Sequence, residues 1–116
     1  MGDMGTFQDP AIFLSSQRAG LAQAIVAQIY AVTAAEMRGV TRGRPRAARA
    51  RQIAIHLVRS VFDMSHKQLA AEFGRDRSTI CHACHLIAQM RETDDEFDST
   101  LCWMESHLRR AAGLKP

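Results

Sequence analysis

The chain has no uninterrupted apolar stretch near the roughly 18 residues a membrane helix needs, so no span is expected. It has no basic-then-apolar leader either, which makes the cytoplasm the expected compartment. Cysteine is scarce, and the three present (Cys81, Cys84 and Cys102) are odd in number. Without secretory context they read as reduced thiols rather than a disulfide framework. There is one tryptophan, Trp103. It is expected in the core, against the N-terminal helix, or at a partner interface. No strand pattern, repeat or low-complexity tract is present. Ser15 and Ser16 follow no nucleophile pattern, and no Gly-x-x-x-x-Gly-Lys-Ser/Thr phosphate loop occurs, so no enzyme, cofactor or nucleotide-driven activity is expected. At 116 residues, with 47% hydrophobic and 23% charged composition, the chain suits one globular domain.

What the chain does have is segregated charge. The net charge is only +3, but seven arginines (Arg38, Arg42, Arg44, Arg46, Arg49, Arg51 and Arg59) lie between Met37 and Phe62 without one acid. Five acids (Glu92, Asp94, Asp95, Glu96 and Asp98) then lie together without a base. Such polarity gives a fold one positive face, which suits either phosphate binding or simple solvation.

Helical spacing dominates the pattern. Leu14, Leu21, Ile25, Ile29 and Val32, with Ala22 and Ala24 between, predict an amphipathic helix from Pro10 to Val32, interrupted near Gly20. Thr33 and Glu36 form a Thr-x-x-Glu capping box for a short helix that Gly39 ends. Residues 41–46, with Gly43 and Pro45, read as a basic loop carrying Arg42, Arg44 and Arg46. Helix resumes near Ala47 and runs to Phe62, burying Ile53, Leu57, Val58 and Val61. Ser65 caps a helix ending by Phe73, Asp76 caps another running to about Met90, and Thr93 or Asp94 starts a last one. The expectation is an all-α, compact multi-helix bundle of about six helices. Residues 1–9 form a flexible N-terminus, 10–112 one helical domain and 113–116 a tail.

A helix-turn-helix is expected at 66–85. Two short helices crossing closely need a small residue midway along the first, a turn residue tolerant of positive φ, and apolar anchors on the second. Ala70, Gly74, Ile80 and Ala83 fall at that spacing, with Leu69 and Phe73 as further core. The second helix, 77–90, then presents Arg77, Ser78, Cys81, His82 and His85 away from the core. A helix in the major groove offers its first residues to base edges: Arg77 suits guanine O6 and N7, and Ser78 and Thr79 suit bases or phosphate. For Thr79, partial burial or a local backbone bond is an equal alternative. Arg75, in the turn, suits a phosphate or a brace on Asp76.

Cys81-His-Ala-Cys-His85 also spells the c-type haem pattern, which requires an exported setting that nothing here suggests. As zinc ligands the set fails on geometry, because His82 leaves the face shared by Cys81, Cys84 and His85, and no second ligand pair follows. No metal is expected.

The stretch from Arg49 to Leu86, "RARQIAIHLVR…S…LAAEFG-RDRSTICHAC", resembles the C-terminal DNA-binding domain of the bacterial replication initiator DnaA family, whose motif reads approximately G-G-R-D-H-T-T-V-x-H-A-C. Upstream, "IVAQIYAVTAAEMRGVTRGRPRAARARQ" is similar to that family's helix, short helix, basic loop and next helix, and the likeness covers Leu21 to Leu108. It implies that Arg75, Asp76, Arg77, Ser78 and Thr79 occupy turn and recognition-helix contact positions, and that His82, Ala83 and Cys84 match H-A-C. It also implies that an arginine of the 42–46 loop, Arg44 foremost, enters the minor groove. One turn glycine is missing, and Arg77 and Ser78 replace the family's His and Thr. These departures leave the target sequence open.

The expected function is sequence-specific binding of double-stranded DNA in a nucleoid-associated cytoplasmic regulator of transcription. Arg38, Arg46, Arg49, Arg51, Lys67 and Arg75 neutralise phosphate, and Arg77, Ser78, Thr79 and His82 face the bases. Two alternatives stay open: a replication-control protein at initiator sites, and a protein-interaction module without DNA. A homodimer through the N-terminal helix and contact with the transcription or replication machinery are also left open.

Overall fold

The computed structural model describes residues 10–39 and 45–115, which form six helices with no strand among them. These are α1 (Pro10–Tyr30), α2 (Ala34–Arg38), α3 (Pro45–Phe62), α4 (His66–Phe73), α5 (Arg77–Thr93) and α6 (Asp95–Ala111). The expected flexible segment 1–9, and Arg42 and Arg44 of the expected basic loop, lie outside the described residues. None of the six helices is long and apolar enough to cross a membrane.

Pro45 does not break a helix here; it begins one. Its fixed φ suits the first helical position, where a missing N–H costs nothing because that donor has no intrahelical partner. Arg46, expected on a loop, therefore sits exposed in the first turn of α3. α3 is the hub of the fold and packs against every other helix. It buries Ala47, Ala50, Ile53, Ala54, Ile55, Leu57 and Val58. Leu69 of α4, Ile80 and Ile87 of α5, and Leu101, Met104 and Leu108 of α6 close the core around it.

α1 runs unbroken through Gly20. One helical glycine costs about 1 kcal/mol, less than the burial of its neighbours returns. The fully buried stripe is Ala19, Ala22 and Val26. Of the larger residues expected, Leu21 and Ile25 are half-buried against the core and Val32, just past the helix, is buried, whereas Leu14 (43%) and Ile29 (40%) are exposed. The helix is apolar around most of its circumference, so periodicity alone does not choose a face. Arg18, its one charged residue, lies over the Phe62 ring at 4.8 Å.

α1 closes on Ala31, whose φ of 54° is left-handed, while Val32 N–H donates to Ala27 O at 2.9 Å. Glycine normally fills this position because a Cβ is strained there. Ala31→Gly is expected to raise stability by about 0.5–1 kcal/mol, read from the urea midpoint at unchanged slope.

One polar cluster ties three helices together. Arg91 of α5 donates to Asp98 (Nε–Oδ1, 2.5 Å) and to both oxygens of Glu105 (2.8 and 3.1 Å) on α6. Ser60 of α3 donates to Glu105 Oε2 at 2.6 Å. Arg91 Nη1 also stands 3.1 Å from His56 Nε2. Since the guanidinium can only donate, His56 accepts there and is neutral.

Burial, then the Arg91 charge, lowers the His56 pKa below its ordinary 6.5, against the opposing pull of Glu105. For Glu105, burial pushes upward, but the bonds from Arg91 and Ser60 and the Arg91 charge outweigh it and hold the carboxyl below 4.5. Both shifts are downward, so the folded state binds fewer protons than the unfolded chain as pH falls. Stability is therefore expected to decline below about pH 6.5 as the unfolded-state histidine protonates, and again below about 4.5 through Glu105. Urea titrations at stepped pH check this, and His56→Gln should remove the upper limb alone.

Candidate nucleic-acid interface

The helix-turn-helix is α4–α5, and local chemistry sets both ends of the first helix. Ser65 Oγ accepts from Gln68 N–H at 3.1 Å, and Gln68 Oε1 accepts from Ser65 N–H at 2.9 Å. These two bonds satisfy donors that the first helical turn leaves unpaired. At the other end Gly74 adopts φ 62°, and the N–H groups of Gly74 and Arg75 both reach Ala70 O. A Cβ at Gly74 would meet nothing within 4 Å. Glycine is needed there for its dihedral angles, not for room.

Asp76 takes the N-cap position with extended backbone (φ −64°, ψ 153°), and Ile80 N–H donates to its carbonyl at 3.1 Å. Its carboxylate makes no capping bond, which corrects the sequence expectation. The helix starts because Asp76 is extended and Ile80, Ala83 and Ile87 are anchored in the core. It also runs further than expected, to Thr93.

With Ile80 and Ala83 inward, the side chains of Arg77, Ser78, Thr79, Cys81, His82 and His85 are exposed. Thr79 is thus exposed, which removes the partial-burial reading at that position. Lys67 is exposed in the first turn of α4.

Between α3 and the start of α5 lies a groove of about 210 Å³, lined among others by Arg51, Gln52, Arg75, Thr79 and His82. Arg51 Nη1 donates to Glu36 O at 2.6 Å, which fixes it over the end of α2. Arg75 reaches the same place, and a Cβ at Gly39 would collide with its guanidinium. Burial, and then the positive charge of Arg75, lowers the Arg51 pKa. Two cations held side by side in this way form an anion-seeking wall beside the exposed first turn of α5. Arg75 therefore lies against Gly39 at the end of α2 and beside Arg51, and no ion pair joins it to Asp76 among the described residues.

Arg49 is placed differently. It donates to Gln52 Oε1 and to Met90 Sδ, each at 3.1 Å, toward the C-terminal half of α5. Along that helix Met90 is about 20 Å from Arg77. The structure thus brings Arg51, Arg75, Thr79 and His82 to one groove, leaves Arg77 and Ser78 exposed in the same first turn of α5, and sets Arg49 apart. Sequence reading grouped Arg51 with the general phosphate contacts and missed both its pairing with Arg75 and the Gln52 wall. No linear signal joins them, because the contact depends on how α3 crosses α5.

An exposed, basic first turn on the second helix of such a unit, with a guanidinium pair beside it, defines a DNA-binding helix-turn-helix domain. Comparison with known proteins names the particular kind. Residues 21–87 match the family model described as the bacterial dnaA protein helix-turn-helix. The chromosomal replication initiator protein DnaA of Laribacter hongkongensis is 35% identical over 88 residues, covering 75% of this chain and 18% of that protein. Those of two Lactobacillus delbrueckii subsp. bulgaricus strains are 34% identical over 89 residues, covering 76% and 19%. The chain belongs to the bacterial DnaA helix-turn-helix family. It spans about a fifth of the length of these initiators.

Proposed function

We propose that the chain binds duplex DNA sequence-specifically, with α5 in the major groove, and regulates transcription from the sites it occupies. The observation that carries the DNA-reading part is the exposed Arg77–Ser78–Thr79 turn beside the Arg51–Arg75 pair. In this reading Arg77 pairs with guanine, Ser78, Thr79 and His82 complete the base contacts, and Asp76 borders them. Arg46, Arg49, Lys67 and Arg75 contact phosphate and set register. Arg42 and Arg44 extend the contact, with Arg44 entering the minor groove.

Arg77→Ala is expected to cost about 1–3 kcal/mol on the preferred site and to flatten preference at one base pair. Lys67→Ala should weaken all sequences alike and reduce the salt slope by about 1. Fluorescence anisotropy on the preferred and scrambled duplexes separates the two outcomes.

The relatives favour a second reading. They are chromosomal replication initiators, so occupancy of initiator sites, with a role in replication control, has a specific basis. Genome-wide occupancy discriminates: peaks at promoters support transcriptional regulation, and a dominant peak at the replication origin supports replication control.

A further inference from the structure

The outer face of α6 carries a pattern that DNA binding does not use. Trp103 is 54% exposed, more than Leu14 or Ile29, and its ring stacks on His107 with centroids 5.2 Å apart and planes 5° from parallel. The inner face of the same helix, Leu101, Met104 and Leu108, is fully buried. At 3.6 residues per turn, Glu96, Ser99, Trp103, His107 and Arg110 fall on one stripe, and all five are exposed.

The stripe is symmetric about Trp103. Laid antiparallel on a copy of itself, it sets Glu96 opposite Arg110, Ser99 opposite His107, and Trp103 opposite Trp103 on the two-fold axis. An isologous contact demands this self-complementarity, with opposite charges arriving at matched positions. Neither Glu96 nor Arg110 enters an ion pair within the chain among the described residues.

We propose that the occupant of this face is a second copy of the chain, docked α6 against α6 in antiparallel register. A large aromatic at the centre with a polar, charged rim has the anatomy of a binding hot spot. A helix of 17 residues is about 25 Å long and buries on the order of 400–500 Å² per copy, below the ~800 Å² of a standard interface. The pairing is therefore weak in solution and strengthens when two copies sit on neighbouring DNA sites. The first turn of α5 lies about 24 Å along that helix from its junction with α6, leaving the basic groove free in the dimer.

Trp103 is the single tryptophan, so its emission reports on this contact directly. With the full chain and no DNA, sedimentation from about 10 µM to the order of 500 µM should show the mean mass rising toward a dimer, with the emission shifting to shorter wavelength. Glu96→Arg and Arg110→Glu should each abolish both changes while circular dichroism stays native. An equimolar mixture of the two variants should restore them, because every juxtaposed pair is then opposite in sign. A wild-type chain monomeric throughout would overturn the proposal. So would charge variants that associate like wild type, which would put the contact elsewhere, such as the outer face of α1. Failure of the mixture to recover association would overturn it equally.

Discussion

Arg91→Met is expected to lower the unfolding free energy by about 2–3 kcal/mol. The Arg91 and Glu105 side chains are only 16% and 15% exposed. Removing the guanidinium strands a half-buried carboxylate with Ser60 as its remaining donor. Breaking a fully buried pair costs about 3–5 kcal/mol, and partial exposure reduces that. The penalty comes mainly from the orphaned charge and less from the attraction lost. A double variant, Arg91→Met with Glu105→Met, should therefore recover most of the stability. Chemical denaturation of the two variants tests this, and a double variant no more stable than the single one would contradict it. Asp98, at 42% exposed, contributes less, because solvent screens it.

The second large effect is on binding. Arg51→Met with Arg75→Met should weaken DNA binding about 100-fold near physiological salt and flatten the salt slope by about 2. Stability should change little, because the loss of the Arg51 bond to Glu36 O is offset by removing two like charges that face each other at the end of α2. A structural role for the pair predicts the reverse: a lower denaturation midpoint with an unchanged salt slope. Measuring both quantities on the same preparation decides between them.

The helix-turn-helix was legible from residues alone because its demands are local. Ala70, Gly74, Ile80 and Ala83 at fixed spacing predict the crossing, and Gly74 takes the left-handed conformation the turn requires. The Thr33–Glu36 box appears as its motif predicts, and Ser65 caps α4 as expected. Chain order reveals less where the deciding partner is distant. Pro45 looks like a breaker until it is seen to occupy a first helical position. Leu14 and Ile29 look like core, but the smaller Ala19, Ala22 and Val26 let α1 approach α3 closely. The acidic run 92–98 looks like a solvated helix start. Asp98 within it is paired to Arg91, and Arg91 is the base whose partners lie on two other helices. Trp103, expected in the core or at a contact surface, is on the surface.

The site divides in the same way. Exposure of Arg77, Ser78, Thr79 and His82 follows from helical phase once Ile80 and Ala83 are buried. The direction of Arg75 does not, because it depends on Gly39 leaving room for a guanidinium over the end of α2. The placement of Arg49 against Met90 depends likewise on the crossing of α3 and α5.

The measurement that bears most directly on the central claim is selection of bound sequences from a random duplex pool, run in parallel with wild type and Arg77→Ala. Wild type is expected to enrich one motif containing a fixed guanine, and the variant to enrich the same motif with preference lost at that position. Retention on the pool should fall steeply with salt. An unenriched wild-type pool, or no retention of duplex even at low ionic strength, would contradict the assignment of α5 as a DNA-reading helix.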